Sequence, residues 1–204
     1  MTSISGQELT DIVKKVLDRM ESGGISGSSG LNSSMNTANI PEVSSASSEQ
    51  TSAQKIVALG TDHGGYEMKE TLKAYLAELG YAIIDCGTNS KESVDYPDFA
   101  HEVARMVSES KAWRGVVIDG AGIGSCMAAN KVPGVRAAMC YDYATAVNSR
   151  EHNNANVLTM GAGLIGLNLA KQIVQTWLTT DFGGGRHAKR VDKIDAIESK
   201  YSKK

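Results

Sequence analysis

The chain lacks an excess of charge of either sign: 21 Lys and Arg stand against 23 Asp and Glu, a formal net charge of −2 over 204 residues. Such a balance offers no electrostatic footprint for nucleic acid or for an anionic membrane surface. No apolar run approaches the roughly 20 residues that span a bilayer, and the first residues lack a basic segment followed by an apolar core, so no signal peptide is expected. Cysteine is scarce. Cys86, Cys126 and Cys140 are odd in number, with no CxxC pair and no regular spacing, which points to reduced thiols in a cytosolic protein. HxH and HExxH are also missing, so no ligand spacing announces a metal centre. A Walker A phosphate loop is excluded by the absence of GK[ST].

What is present divides the chain in three. Residues 22–54 are rich in serine, with Gly and Asn and almost no charge, and read as a flexible linker. Ahead of it, within residues 1–21, Ile4, Leu9, Ile12, Val13, Val16, Leu17 and Met20 recur on one helical face. Ser5 and Glu8 make a capping box, Ile4 and Leu9 a hydrophobic staple, and Gly23 and Gly24 stop the helix. A helix of about four turns is marginal alone in water. Its apolar face therefore calls for a groove on a partner, and the expectation is a tethered docking helix over residues 4–20.

Residues 55–204 form the main domain. KIVALG, YAIIDCG, RGVVIDG, VRAAMCY and ANVLTMG read as strands, and amphipathic helical segments follow each of them. A last helix is expected near KRVDKIDAIESK. Alternation of this kind predicts an α/β domain in which a five-stranded parallel sheet is covered on both faces, with right-handed crossovers. Ligands of such sheets bind beyond the carboxyl ends of the strands, so the informative residues should follow the strands.

The first strand leads to Asp62 and His63, and the second to a loop ending in Asp95, Tyr96 and Pro97. The third ends in Asp119 and the glycine loop GAGIGS, with Gly120, Gly122, Gly124 and Ser125. Later come His152 and Asn153 in REHNNAN, then Arg186, His187 and Arg190 in GGGRHAKR. Loop histidines beside Asp, Asn and Arg favour a site over satisfied surface residues. The glycine loop is a poor dinucleotide fingerprint, because its spacing is GxGxG and it follows the third strand rather than the first. A row of backbone amides at a helix start remains, suited to a phosphate or a developing oxyanion.

TDHGGYEMK, GTNSKESVDYPDFA, GAGIGSCMAANK, REHNNANVLTMG and GGRHAKRV occur in this order and together resemble the ribose-5-phosphate isomerase B family, which includes the galactose-6-phosphate isomerase subunits. The resemblance covers residues 55–201 and implies a Rossmann-like three-layer αβα fold without a nucleotide. It implies aldose–ketose isomerisation of a sugar phosphate, ribose 5-phosphate by default, through a cis-enediolate and without metal or cofactor. It also implies a homodimer or homotetramer whose active sites draw on two subunits. Carried over by position, Asp62, His63 and Tyr96 would line the site, His152 would assist ring opening and Asn153 would bind sugar oxygens. Arg186 and Arg190, with His187 nearby, would hold the phosphate, and the amides from Gly120 to Ser125 would stabilise the enediolate oxygens.

The chain departs from the family at the proton-abstracting base. Much of the family has Cys at the position of Asp119, another branch has Glu at that of Ser125, and Ala121 stands where many relatives carry Thr. Asp119 is then either the base itself, a carboxylate that burial would have to make more basic, or a cap for the following helix. The alternative function is a sugar-phosphate-binding or assembly subunit with altered or no isomerase activity. The N-terminal helix and linker resemble the encapsulation peptides of bacterial microcompartments. They imply a shell-protein partner and a cytoplasmic location inside such a compartment.

Overall fold

The computed structural model describes residues 55–202 and, upstream of them, Lys14 alone. The expected docking helix over 4–20 and the linker over 22–54 otherwise lie outside the described residues. Five strands run in chain order: β1 Ile56–Thr61, β2 Ala82–Asp85, β3 Arg114–Asp119, β4 Ala137–Met139 and β5 Val157–Gly161. The helices are α1 Tyr66–Glu78, α2 Tyr96–Ser108, α3 Ile123–Ala129, α4 Tyr143–Glu151, α5 Leu167–Thr179 and α6 Ala188–Tyr201. A single 3-10 turn, His63–Gly65, precedes α1.

Every strand pair is parallel and the order is β2-β1-β3-β5-β4. The central strands β1, β3 and β5 are buried on both faces, so they read as continuous apolar runs rather than alternating ones. The period of two still decides which face each residue serves. Val57, Leu59, Val116, Ile118, Leu158 and Met160 join Leu72, Leu76, Ile173 and Trp177 of α1 and α5 in one core. Ala58, Val117 and Val157 join Ala100, Val103, Ala104 and Val107 of α2 in the other. Full burial of each Val, Leu or Ile contributes about 1.5–3 kcal/mol. Helix α2 packs close to the sheet because Gly60 and Gly115 leave room for Val103: a Cβ on either would stand 2.5 Å from its methyl groups.

The connections from β1 lead to β2 on one side, whereas β3 lies on the other. The strand order therefore reverses between β1 and β3, and a crevice opens at their carboxyl ends.

Candidate active site

Asp62 follows β1 directly and is 7% exposed. Its Oδ1 accepts from the amides of Gly64 at 2.9 Å and Gly65 at 3.3 Å, which caps the short turn carrying His63. His63 is exposed, and its Nδ1 lies 3.2 Å from the Val94 amide nitrogen in the loop after β2. The β1 and β3 loops touch, since a Cβ on Gly64 would lie 3.4 Å from the Gly120 nitrogen. Tyr96 opens α2 and lays its ring over Gly124, where a Cβ would stand 2.4 Å from a ring carbon. Asp62, His63, Tyr96 and the Gly120–Ser125 loop are thus one cluster at the switch point.

Asp119 ends β3 within this cluster and is 4% exposed. Its Oδ1 accepts from the amides of Ala121, at 2.8 Å, and Gly122. Its Oδ2 accepts from the Ser125 amide at 3.2 Å and from the Ser125 hydroxyl. Gly122 has φ of 80°, a left-handed conformation that glycine adopts without a Cβ penalty, and this turns the loop back over the carboxylate. A carboxylate offers about four lone-pair sites, and here four donors occupy them. Three amides expected to meet a developing oxyanion point instead at Asp119. Cys126 is turned away from the carboxylate, its thiol donating to the Ala137 carbonyl at 3.4 Å.

The loop from Gly87 to Asp95 is held by a residue the sequence did not advertise. Lys69 is fully buried, and its Nζ donates to both Asp85 oxygens, at 3.0 and 2.9 Å, and to the Thr88 carbonyl at 3.0 Å. Its place on the inward face of α1 was readable from helical spacing; its partners were not.

The remaining candidates assemble elsewhere. His152 caps the end of α4, with its Nδ1 2.8 Å from the Asn148 side-chain nitrogen. Asn153 donates through Nδ2 to the Asn148 carbonyl and to Asn148 Oδ1, both at 3.2 Å. That leaves the Asn148 amide nitrogen as donor and His152 Nδ1 as acceptor, so the neutral ring carries its proton on Nε2. His187 stacks on His152, and the Arg186 Nε–H points at His187 Nε2 from 3.5 Å. Arg190 is exposed in the first turn of α6. The Gly183 amide donates to the Glu151 carbonyl at 2.9 Å, which ties this loop to α4.

Two buried arginines brace the same region. Arg114 donates to the carbonyls of Trp177 at 2.7 Å, Leu178 at 3.0 Å and Thr180 at 3.3 Å, and Arg150 donates to Thr180 at 3.3 Å. Cations suit the carbonyl end of α5. Burial, with Arg150 close by, pushes the Arg114 guanidinium down to about 9, and burial pushes Arg150 down to about 10. Both remain cations at neutral pH. A charged residue opening an otherwise apolar strand was the available signal for Arg114; Asn148, four residues before His152 on the same helical face, was the signal for its partner.

The two groups sit at opposite edges of the sheet. Gly115 pairs with Val157, the first residue of β5, and Asp119 pairs with Gly161, its last. His152 and Asn153 precede β5, and the loop of Arg186 and His187 joins them there. At about 3.3 Å per residue the four-residue register separates the edges by roughly 13 Å. The expectation of residues beyond the carboxyl ends therefore holds for Asp62, His63, Tyr96 and Asp119 to Ser125. It fails for His152, Asn153, Arg186, His187 and Arg190, because α4 and α5 each return the chain to the amino edge. Among the described residues no group of three or more His, Cys, Asp or Glu side chains is placed to hold a metal ion. No helix among them is long and apolar enough to cross a membrane.

Comparison with known proteins follows the same residues. The family model for ribose/galactose isomerase matches residues 57–194. Ribose-5-phosphate isomerase B of Escherichia coli (strain K12) is 44% identical over 146 residues, 72% of this chain and 98% of that protein. D-erythrulose-4-phosphate isomerase of Pectobacterium atrosepticum is 40% identical over 143 residues, 70% of this chain and 94% of that protein. Among solved structures, ribose-5-phosphate isomerase B of Clostridium thermocellum superposes with a TM-score of 0.71 at 52% identity, covering 72% of this chain and 99% of that one.

Proposed function

The chain belongs to the ribose/galactose isomerase family, and from that premise we propose that it is an aldose–ketose isomerase of sugar phosphates acting on ribose 5-phosphate. The observation that carries the reading is the convergence of Asp62, His63, Tyr96 and Asp119 around the Gly120–Ser125 loop at the switch point. In this mechanism His152 moves a proton as the sugar ring opens to the free aldehyde. Asp119 then takes the proton from C2, the electron pair forms the C1–C2 double bond, and negative charge develops on O1. Return of the proton to C1, with transfer of the O2 proton to O1, gives the ketose. The loop amides that Asp119 does not engage, those of Gly120 and Gly124 among them, face the developing charge. Arg186 and Arg190 hold the phosphate, for which permanently charged, forked donors are suited.

Because the two groups of residues stand at opposite edges, the site is composite. One copy supplies Asp62, His63, Tyr96 and Asp119, and a second copy supplies His152, Asn153, Arg186 and Arg190. A homodimer is the smallest assembly that meets this need, and a homotetramer built from two such dimers meets it as well. An open groove of about 1240 Å³ runs along the edge strand β4, between α4 and α6, and Ile194, Ile197 and Tyr201 line it. Ile194, Ile197 and Tyr201 are exposed there, and an apolar patch of this kind favours association with another chain.

A second reading is favoured by one observation, the four donors on Asp119. A base needs a free lone pair, and here one must first be released. The Ser125 hydroxyl is the donor that rotates most freely, so its release activates Asp119 in the isomerase reading. If it does not move, the chain binds the sugar phosphate without isomerising it, as a binding or assembly subunit. The purified full-length chain, assayed with ribose 5-phosphate beside four- and six-carbon aldose phosphates, decides this. Turnover of ribose 5-phosphate supports the proposal; binding of all of them without turnover supports the second reading.

The segment 4–20 is proposed to dock on a microcompartment shell protein through its apolar face, with residues 22–54 as tether. Deletion of residues 1–54 should leave turnover unchanged and abolish co-localisation with the shell. Collapse of the oligomer in that variant would contradict the tether.

A further inference from the structure

Two segments far apart in sequence bring His152 and His187 face to face, with ring centroids 4.2 Å apart and planes within 6°. The contact is reinforced on both sides. His152 is fixed by Asn148 through Nδ1, and the loop of His187 is fixed to α4 through the Gly183–Glu151 backbone bond. We propose that His187 is a positioning residue for His152: its ring sets the plane of the neighbouring imidazole, and the stack accepts one proton but not two. The inference rests on His152 as the group that assists ring opening.

Each charged neighbour of the pair argues in one direction or the other, and most disfavour a second proton. Two imidazolium cations at this separation repel each other. Arg186 and Arg190 add positive charge on the side of His187, and Glu151, 3.9 Å from His152 Nε2, is the acid that faces the pair. The negative charge therefore sits beside His152. His187 Nδ1 is buried with no hydrogen-bond partner, and Nε2 faces the Arg186 Nε–H. An imidazolium needs an acceptor at each nitrogen, and His187 has neither. Desolvation, followed by the charges of His152, Arg186 and Arg190, holds His187 below the usual imidazole range. His187 thus stays a neutral platform beside His152, the ring that has to move a proton.

Parallel stacking also restricts rotation of the His152 ring about its side chain, so Nε2 keeps one direction. Orientation of a catalytic group is worth large factors in rate, and a small misplacement is costly. The loop that holds the phosphate would thereby also orient the ring-opening residue, linking substrate anchoring to proton transfer.

The test follows histidine ring resonances against pH in the full-length chain, with isomerase kinetics on the same preparations. In wild type His187 should titrate below the ordinary range, and in His152→Phe its midpoint should rise; an unchanged midpoint overturns the one-proton pair. His187→Gln should lower kcat by roughly tenfold or more while KM stays within about twofold, and His187→Phe, which keeps a stacking ring, should recover most of that loss. Equal losses in Gln and Phe, or a loss confined to KM, overturn the positioning role. Wild-type chain that turns over no sugar phosphate would sink the isomerase reading alone, because the titration of the pair is read independently.

Discussion

Replacing Asp119 by Asn separates the two jobs that one carboxylate holds. The native group accepts from Ala121, Gly122 and twice from Ser125. An Asn oxygen can keep the first two bonds. Its amide nitrogen then faces Ser125, whose hydroxyl can turn to accept, but the Ser125 amide loses its acceptor inside a buried loop. One buried unsatisfied donor costs about 1–3 kcal/mol. For a chain of this size each kcal/mol lowers Tm by roughly 2–4 °C, so Asp119→Asn should melt about 2–12 °C lower. Loss of a general base removes a further ~10²–10⁴-fold from the rate. Thermal melting followed by circular dichroism reads the first effect, and conversion of ribose 5-phosphate, with deuterium exchange at C2 as a check on proton abstraction, reads the second. A variant that melts lower yet keeps full turnover refutes Asp119 as the base. A variant with unchanged Tm refutes the hydrogen-bonded loop.

Gly124→Ala drives a methyl group into the Tyr96 ring, which is exposed and free to swing away; steady-state kinetics should show a several-fold higher KM with Tm lowered by no more than a few degrees. Lys69→Met leaves the Thr88 carbonyl without its buried donor, at a cost of about 1–3 kcal/mol, and urea unfolding should move to a lower midpoint while proteolysis quickens in the loop from Gly87 to Asp95. Arg114→Met strips the α5 end of the donor to Trp177 and Leu178, and should destabilise by about 2–4 kcal/mol in the same unfolding assay. The depressed His187 gives stability a pH dependence of known sign. The unfolded chain binds a proton in the ordinary imidazole range and the folded chain does so only below it, so the fold weakens as pH falls through that range and regains stability as pH rises. Urea midpoints measured on either side of it should show a smaller slope in His187→Phe.

The elements were legible because each has a local cause. RGVVID is apolar between its terminal charges, Pro97 stands in the first turn of α2, and Asp142 caps α4 with Thr145 in a reciprocal box. Local signals cannot rank strands in space. That β5 lies between β3 and β4 follows from packing across the whole sheet, and three-residue β4 is set by its neighbour more than by its own sequence. The candidate residues were legible as types beside turns, yet their division between two edges was missed. The sequence contained the signal: HNNAN precedes a strand, whereas TDHGG and DGAGIGS follow one. Asp119 was legible as an acid at a glycine loop, with capping as one of its possible roles. The identity of its four donors depends on a left-handed Gly122 and on the depth of Ser125 in α3, which only the folded chain shows.

A sugar-phosphate isomerase whose site is completed by a second copy is tested most directly by mixing two inactive chains. Asp119→Asn disables one half of the site and Arg186→Ala the other. When the two are dissociated together and reassembled, about half the dimers are mixed and each contains one intact site, so isomerisation of ribose 5-phosphate should return to roughly a quarter of the wild-type rate. Mixtures that stay as inactive as either variant alone, beside an active wild type treated in the same way, would contradict it.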